Sequence, residues 1–186
     1  MDTFHYTSQL DNALKLIRAL DFNRALPILY QLLNEKPHQH SLIEQIYNIE
    51  WGRQSNSGFR KICWHVFSIK SMSSELTPIV IQAVSDYKTM IDPQFKLNGF
   101  NRQQIFNLLF HLSHQRGHRD SDRLYEEVKT RFADDLLTPR VMYNFCEGLI
   151  KDKRIIRARE ELKYLLLYYA ENEVRAPAEH LLKAIL

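Results

Sequence analysis

The sequence predicts an all-α fold of about ten helices, arranged as stacked antiparallel pairs. Apolar residues recur at the three- and four-residue spacing of a helix face along the whole chain. No stretch shows the strict alternation of apolar and polar residues that is typical of a half-buried strand. With five glycines and six prolines in 186 residues, the chain also offers few positions for turns.

Ten segments carry an apolar stripe, and each stripe forms a face that one helix alone cannot hide from water. Because only short turns separate most of the segments, neighbouring helices are expected to pack antiparallel. In chain order the stripes are Leu10, Ala13, Leu14 and Ile17; Leu26, Leu29 and Leu33; Leu42, Ile46 and Ile49; Phe59, Ile62, Val66 and Ile69; Val84, Tyr87 and Ile91; Ile105, Leu108 and Leu112; Leu124, Val128 and Phe132; Val141, Phe145 and Leu149; Ile155, Leu162 and Leu165; and Leu181, Leu182 and Ile185.

Capping signals mark several of the predicted helix starts. In a capping box, two side chains three residues apart satisfy each other's free backbone amides. A threonine directly before a proline indicates an N-cap followed by a first-turn proline, whose missing amide costs little there. The signals are the boxes Ser41 with Glu44 and Asn101 with Gln104, and the pairs Thr77 with Pro78 and Thr138 with Pro139.

Length and composition favour one self-sufficient domain. With 45% apolar residues, the chain can bury a substantial core, and we expect a single domain over residues 1–186 with a bend at 92–101.

The two cysteines, Cys63 and Cys146, lack metal-binding or redox spacing, which predicts reduced, apolar roles inside helices. The longest apolar run, 164–170, is shorter than the ~20 residues that span a bilayer. Together with the absence of a secretion-signal pattern, this predicts a cytoplasmic protein that does not enter membranes.

Three parts of the chain share a pattern of large and small residues. The chain resembles the tetratricopeptide repeat family, whose unit is a 34-residue helix-turn-helix, over residues 8–37 and 102–170. The small members of the pattern, Ala25, Ser121 and Ala158, would lie where two helices cross most closely. The matching sets are Ala13, Leu16, Ala25, Leu29 and Pro37; Ile105, Leu108, Leu112, Ser121 and Tyr125; and Met142, Phe145, Cys146, Leu149, Ala158 and Leu162.

The resemblance implies an α-α superhelix with a concave surface that binds peptide segments or protein partners and has no catalytic activity. The later small position of each unit is filled by a larger residue, and the closing proline occurs in the first unit only. These departures leave an irregular helical bundle as the alternative architecture. The larger residues are Leu32, Val128 and Leu165.

The stretch HLSHQRGHRDSDR at 111–123 raises the question of a metal site. His111 and His114 are three residues apart, so they could share a helix face and coordinate a metal ion. Gly117, however, suits the left-handed position after a helix end, which would place His118 in a turn away from the other two. No further ligand is positioned by the sequence. We therefore predict a helix end followed by a turn, with no metal and no cofactor.

The sequence contains little that indicates an enzyme. Cys63 and His65 could suggest a thiol with an imidazole base, but two residues along a helix turn through ~200°, so the two side chains should point apart. No glycine-rich phosphate loop, paired zinc-ligand motif or nucleophile elbow is present. We predict a protein without catalytic activity.

Basic residues concentrate on two neighbouring predicted units and form a candidate basic ridge. A solvated helix face is the favoured interpretation of such a run, and Arg157 can pair with Glu161 one turn further on. Phosphate or acidic-peptide binding is the functional interpretation. The ridge comprises Arg116, Arg119, Arg123, Lys151, Lys153, Arg154, Arg157 and Arg159.

The run YLLLYY at 164–169 contains more tyrosines than one core-facing stripe can hold. Tyr164, Tyr168 and Tyr169 cannot all face the same core, so at least one should be exposed. Tyrosine is common at interfaces because its ring is apolar and its hydroxyl tolerates water. We take Tyr168 and Tyr169 as candidate contacts for a partner or for a second copy of the chain.

The leading functional prediction is an adaptor that binds a peptide or a helix of a partner protein on a concave helical surface. The alternative is a nucleic-acid-binding helical repeat that uses the ridge from Arg116 to Arg159. The net charge of +3 and the pI of 8.8 neither require nor exclude nucleic acid. A metal-dependent enzyme built on His111 and His114 is the third and least favoured class. Self-association stays open.

Overall fold

The computed structural model describes residues 3–69, 74–113 and 119–186. Within these residues the chain forms ten α-helices, two short 3-10 helices and no strand, which confirms the all-α prediction. The 3-10 helices are Ser74–Leu76 and Leu97–Gly99. The α-helices are α1 Thr3–Arg18, α2 Phe22–Glu35, α3 His40–Gly52, α4 Asn56–Ser68, α5 Thr77–Met90, α6 Arg102–Ser113, α7 Arg119–Arg131, α8 Thr138–Lys151, α9 Ile155–Tyr168 and α10 Arg175–Ala184.

The chain divides into two compact units. The first unit comprises Met1–Ser71 and Gln82–Phe95, and the second comprises Met72–Ile81 and Lys96–Leu186. Helix α5 therefore contributes its first residues to the second unit and its remainder to the first. The expectation of a single domain with a bend at 92–101 stays a prediction.

The first unit consists of helix pairs that bury apolar stripes against each other. Helix α1 packs on α2, α2 on α3, and α3 on α4. The fully buried residues Leu29, Ile46 and Phe59 come from three different helices, so one core joins α2, α3 and α4. Tyr87 of α5 packs edge-on against Phe67 of α4, with ring centroids 5.7 Å apart. The stripes predicted for α2, α3 and α4 are buried in this core, whereas Ala13 is the one member of the α1 stripe that is buried.

The second unit is also built from packed helices. Helix α6 packs on α7 and on α8, α8 packs on α9, and α9 packs on α10. Helices α6 and α8 come so close at Gly148 that a Cβ added there would overlap the carbonyl oxygen of Ser113. Only glycine fits such an approach between two helix backbones. Ala25 of the first unit, and Ser121 and Ala158 of this one, are buried small residues, and their place at the closest helix crossings stays a prediction.

Three helix-to-helix turns have the same backbone geometry. At Leu20, Gln54 and Lys153 the backbone is left-handed, with φ of 58°, 50° and 61°. Each of these residues donates its N–H to the carbonyl three residues back, and the next residue donates to the carbonyl five residues back. This hydrogen bonding defines a Schellman motif. Leu20 and Gln54 are 34 positions apart, so α1–α2 and α3–α4 repeat the same turn in register.

The capping signals predicted where helices begin more accurately than they predicted which residue is the N-cap. Asn101 and Gln104 form the predicted capping box, with both backbone-to-side-chain hydrogen bonds at 3.0 Å. The box predicted at Ser41 is wrong. Helix α3 begins at His40 with Gln39 as its N-cap, because the Gln39 carbonyl already accepts the first intrahelical bonds. Ser41 therefore lies inside the first turn.

The two threonines before prolines are also not N-caps. Thr77 and Thr138 are the first residues of α5 and α8. Their hydroxyls form tertiary contacts instead. The Thr138 hydroxyl donates to the carbonyl of Phe132 at 2.5 Å, and the Thr77 hydroxyl lies 2.8 Å from Nδ1 of His111. Both helix starts were predicted correctly to within one residue.

None of the helices in the described ranges is both long enough and apolar enough to cross a membrane.

Candidate interaction surface

Helices α7 and α9 lie side by side and run in the same direction. Each ion pair joins a residue of α7 to a residue 31 or 32 positions later, which lies on α9 or in the turn before it. The two helices are parallel because successive residues of α7 pair with successive residues of this later segment. The contacts are Asp122 with Arg154 at 3.0 Å, Glu126 with Arg157 at 3.2 Å and Lys129 with Glu161 at 3.1 Å.

Arg154 and Asp122 form the most regular of these contacts. The two terminal nitrogens of Arg154 donate to the two carboxylate oxygens of Asp122, both at 3.0 Å. Such a bidentate pair fixes both side chains in orientation as well as in distance. The hydrogen bond to Asp122 raises the pKa of the Arg154 guanidinium above its ordinary value. Arg154 therefore stays charged and held by Asp122.

Arg157 is the centre of the ion-pair network. Its guanidinium lies 3.1 Å from Asp122, 3.2 Å from Glu126 and 3.8 Å from Glu161. The predicted pairing of Arg157 with Glu161 is confirmed, but it is the longest of the three contacts. The guanidinium also lies over the ring of Phe145, 5.6 Å from its centroid. One cation thus neutralises carboxylates from two helices.

Glu161 is a buried carboxylate with several hydrogen-bond donors. It accepts hydrogen bonds from the hydroxyl of Tyr125 at 2.6 Å and from Lys129 at 3.1 Å. Burial, together with the nearby carboxylate of Glu161, raises the pKa of the Tyr125 hydroxyl well above its ordinary value, so this hydroxyl remains a neutral donor. The network on this surface therefore continues into the core of the second unit.

The remaining ridge residues differ in their contacts. Arg116 lies outside the described residues. Arg159 donates to the backbone carbonyl of Ile185 at 2.6 Å, and Arg123 lies 3.6 Å from Asp120. Arg119, Lys151 and Lys153 are exposed, and within the described ranges no carboxylate pairs with them.

The tyrosines of the YLLLYY run separate into exposed and packed side chains. Tyr168 is 64% exposed, which confirms that at least one faces solvent. Its ring lies against that of Tyr164, with the centroids 4.3 Å apart and the ring planes tilted by 33°. The hydroxyl of Tyr169 donates to the carbonyl of Ala133 at 2.9 Å. This hydrogen bond connects the end of α9 to the residues that follow α7. Of the two predicted contact tyrosines, Tyr168 is therefore the more accessible.

A second outward-facing stripe on α9 escaped the sequence reasoning. Ile156 and Leu167 are 76% and 72% exposed, although both are large and apolar. Glu160 and Lys163 lie between them on the same side of the helix and are also exposed. We call these four residues the α9 face. Their spacing of four, three and four residues indicates one face of a helix and could have identified them. From the sequence, only the stripe of Ile155, Leu162 and Leu165 was predicted for this helix.

A groove of about 570 Å³ lies beside the α9 face, at the start of α9. Three basic and three acidic side chains line it, so their formal charges cancel. Two isoleucines supply its apolar part. The lining residues are Glu126, Lys153, Arg154, Ile155, Ile156, Arg157, Glu160 and Glu161.

Of the three histidines in the stretch at 111–123, the structure describes only His111. His111 is buried at the end of α6, where Nδ1 lies 2.8 Å from the Thr77 hydroxyl. His114 and His118 lie outside the described residues. In the ranges that the structure describes, no three His, Cys, Asp or Glu side chains are close enough together to hold a metal ion.

Cys63 and His65 point apart, as their spacing predicts. The Cys63 thiol faces the carbonyl of Ala83 at 4.0 Å, whereas Nε2 of His65 lies 2.9 Å from the carbonyl of Pro37. Burial raises the pKa of the Cys63 thiol and lowers that of the His65 imidazole. A thiol held protonated in this way is a poor nucleophile, and His65 does not reach it.

No protein-family model, no curated protein and no solved structure matches this chain.

Proposed function

We propose that this chain is a non-catalytic interaction module, similar in kind to tetratricopeptide repeats, that binds a helix or an extended segment of a partner molecule. The repeated Schellman turns and the succession of packed helix pairs support the repeat-like part of the proposal. The docking surface is the α9 face together with the adjoining groove. The concave surface implied by the resemblance stays a prediction.

The exposed apolar residues of the α9 face carry this proposal. Ile156 and Leu167 are both exposed on one side of a single helix, and a charged residue of each sign lies between them. Apolar anchors within a polar surround are typical of protein interfaces. The adjoining groove, with its two isoleucines and balanced charges, suits a peptide or a helix with side chains of mixed character.

The ion pairs disfavour the nucleic-acid alternative. Affinity for nucleic acid depends mainly on cations that neutralise phosphates. Arg154 and Arg157 already contact Asp122, and Arg157 also contacts Glu126. A phosphate would have to displace these carboxylates, and their negative charges would then repel it.

A site-specific photo-cross-linking experiment tests the proposal. A photoreactive amino acid replaces Ile156 in cells that express the chain, and the matched control carries it at Leu136, which is 91% exposed but lies outside the α9 face. We expect protein adducts at position 156 that disappear when Leu167→Asp is added, because that change places a charge on the same face. Position 136 should give no such adducts. Adducts with nucleic acid only, or none that respond to Leu167→Asp, would contradict the proposal.

A further inference from the structure

We infer that the occupant of the α9 face is a second copy of this chain, whose α9 packs antiparallel on the first about a two-fold axis. This inference rests on the proposed function, because it names the protein that the α9 face binds. It is carried by the order of the four residues on that face and by their exposure.

The α9 face has the spacing of a helix-pairing seam. Ile156, Glu160, Lys163 and Leu167 follow one another at intervals of four, three and four residues. These are the intervals of alternating d and a positions in a heptad, which keep one side of a helix against a partner helix. All four side chains are exposed, so within the described residues no other helix covers this seam.

The order of residues on the seam is self-complementary. The midpoint of α9 between Ile156 and Leu167 lies between positions 161 and 162. The midpoint between Glu160 and Lys163 is the same point. A two-fold axis through that point places Ile156 opposite Leu167 of the partner subunit. The same axis places Glu160 opposite Lys163 of the partner subunit. One symmetry operation therefore satisfies the apolar contacts and the charge pairs together, as an isologous interface requires.

The charges also specify the direction of pairing. If two copies of α9 ran parallel in register, Glu160 would face the same glutamate of the other chain and Lys163 would face the same lysine. Like charges placed opposite each other oppose association. In the described residues neither Glu160 nor Lys163 has an ion-pair partner within its own chain. Both are therefore available to a second copy, and only the antiparallel arrangement pairs them.

The size of the seam sets the strength of the association. The twelve residues from Ile156 to Leu167 are separated by eleven helical steps and rise by about 16 Å, or about three turns. An interface of this length falls below the standard size and belongs to the weak, reversible class. We expect the dimer to be half dissociated at a concentration on the order of 100 µM. The association should therefore depend on concentration.

Sedimentation equilibrium on the full chain and on charge variants tests the inference. Glu160→Lys and Lys163→Glu each place like charges opposite each other at two symmetry-related positions, so each variant alone should lower the association constant at least about tenfold. An equimolar mixture of the two variants pairs every cation with an anion and should form a heterodimer. The double variant Glu160→Lys/Lys163→Glu should recover the association of the unmodified chain.

The controls separate interface effects from folding effects. Both changed side chains, Glu160 and Lys163, are exposed, and each variant should keep the helical circular dichroism of the parent. Leu136→Asp, which removes a leucine more exposed than Leu167 and outside the α9 face, should leave the association constant unchanged.

Two results would overturn the inference. One is a chain that stays monomeric up to about 1 mM, where even an association of −4 kcal/mol would be visible. The other is a dimer that forms equally well with either single charge variant. The cross-linking experiment distinguishes these failures from failure of the proposed function. Adducts at position 156 with a different protein would leave the proposed function standing while rejecting the second copy as occupant.

Discussion

Replacing Gly148 with alanine should lower the free energy of unfolding by about 3 kcal/mol, because overpacking between rigid backbones costs that much. The added Cβ would overlap the carbonyl oxygen of Ser113, which belongs to a neighbouring helix and cannot rotate away as a side chain can. Helix propensity alone predicts the opposite sign, a gain of about 1 kcal/mol for alanine over glycine. Denaturation by urea, followed by circular dichroism, measures the difference.

Gly52→Ala is the matched control for Gly148→Ala. Gly52 is the last residue of α3, and a Cβ there would meet nothing within 4 Å. This change should be neutral or stabilise the fold by up to about 1 kcal/mol. If Gly148→Ala were as stable as Gly52→Ala, the close approach of α6 to α8 would be wrong.

Replacing Arg157 with alanine should lower the free energy of unfolding by about 2 kcal/mol. This loss lies between the roughly 0–1 kcal/mol that an exposed ion pair contributes and the roughly 3–5 kcal/mol that is lost when one partner of a buried pair is removed. Arg157 is 28% exposed, and its partner Glu161 is 11% exposed, so solvent screens the network only in part. The change also leaves Asp122, Glu126 and Glu161 without their shared cation. Denaturation in urea gives the loss directly.

Two variants show whether the loss comes from the ion-pair network. Arg175→Ala removes an exposed i,i+4 pair with Glu179 and should cost less than about 0.5 kcal/mol. Adding Glu126→Gln to Arg157→Ala should recover part of the loss, because Asp122 keeps Arg154 and Glu161 keeps Lys129, whereas Glu126 loses the cation that it contacts. Equal losses for Arg157→Ala and Arg175→Ala would show that the network contributes nothing beyond an ordinary surface pair.

Local patterns in the sequence were enough to predict the fold class and most of the helix starts. The box of Asn101 with Gln104 involves neighbours in the chain, so its geometry follows from the helix itself. The left-handed turns at Leu20 and Gln54 could not be predicted, because neither residue is a glycine. Tertiary packing stabilises these turns against the strain of about 1–2 kcal/mol that left-handed backbone costs such residues.

The candidate surface was predicted only where its contacts are local. The pairing of Arg157 with Glu161 follows from a spacing of four residues, whereas the contacts of Asp122 with Arg154 and Arg157 join residues more than 30 positions apart. No short-range pattern contains that information. The sequence therefore indicated a basic ridge, and only the folded structure shows that carboxylates of α7 contact two of its members, Arg154 and Arg157.

The most direct test of this neutralisation is the salt dependence of polyanion binding. Fluorescence anisotropy with mixed-sequence RNA and DNA, at about 50 and 200 mM salt, reports how many phosphates the protein neutralises. We predict weak binding with little salt dependence for the unmodified chain, and tighter, more salt-dependent binding for Asp122→Asn/Glu126→Gln, which releases Arg154 and Arg157. The contrary result is tight, steeply salt-dependent binding by the unmodified chain that Arg154→Gln and Arg157→Gln weaken.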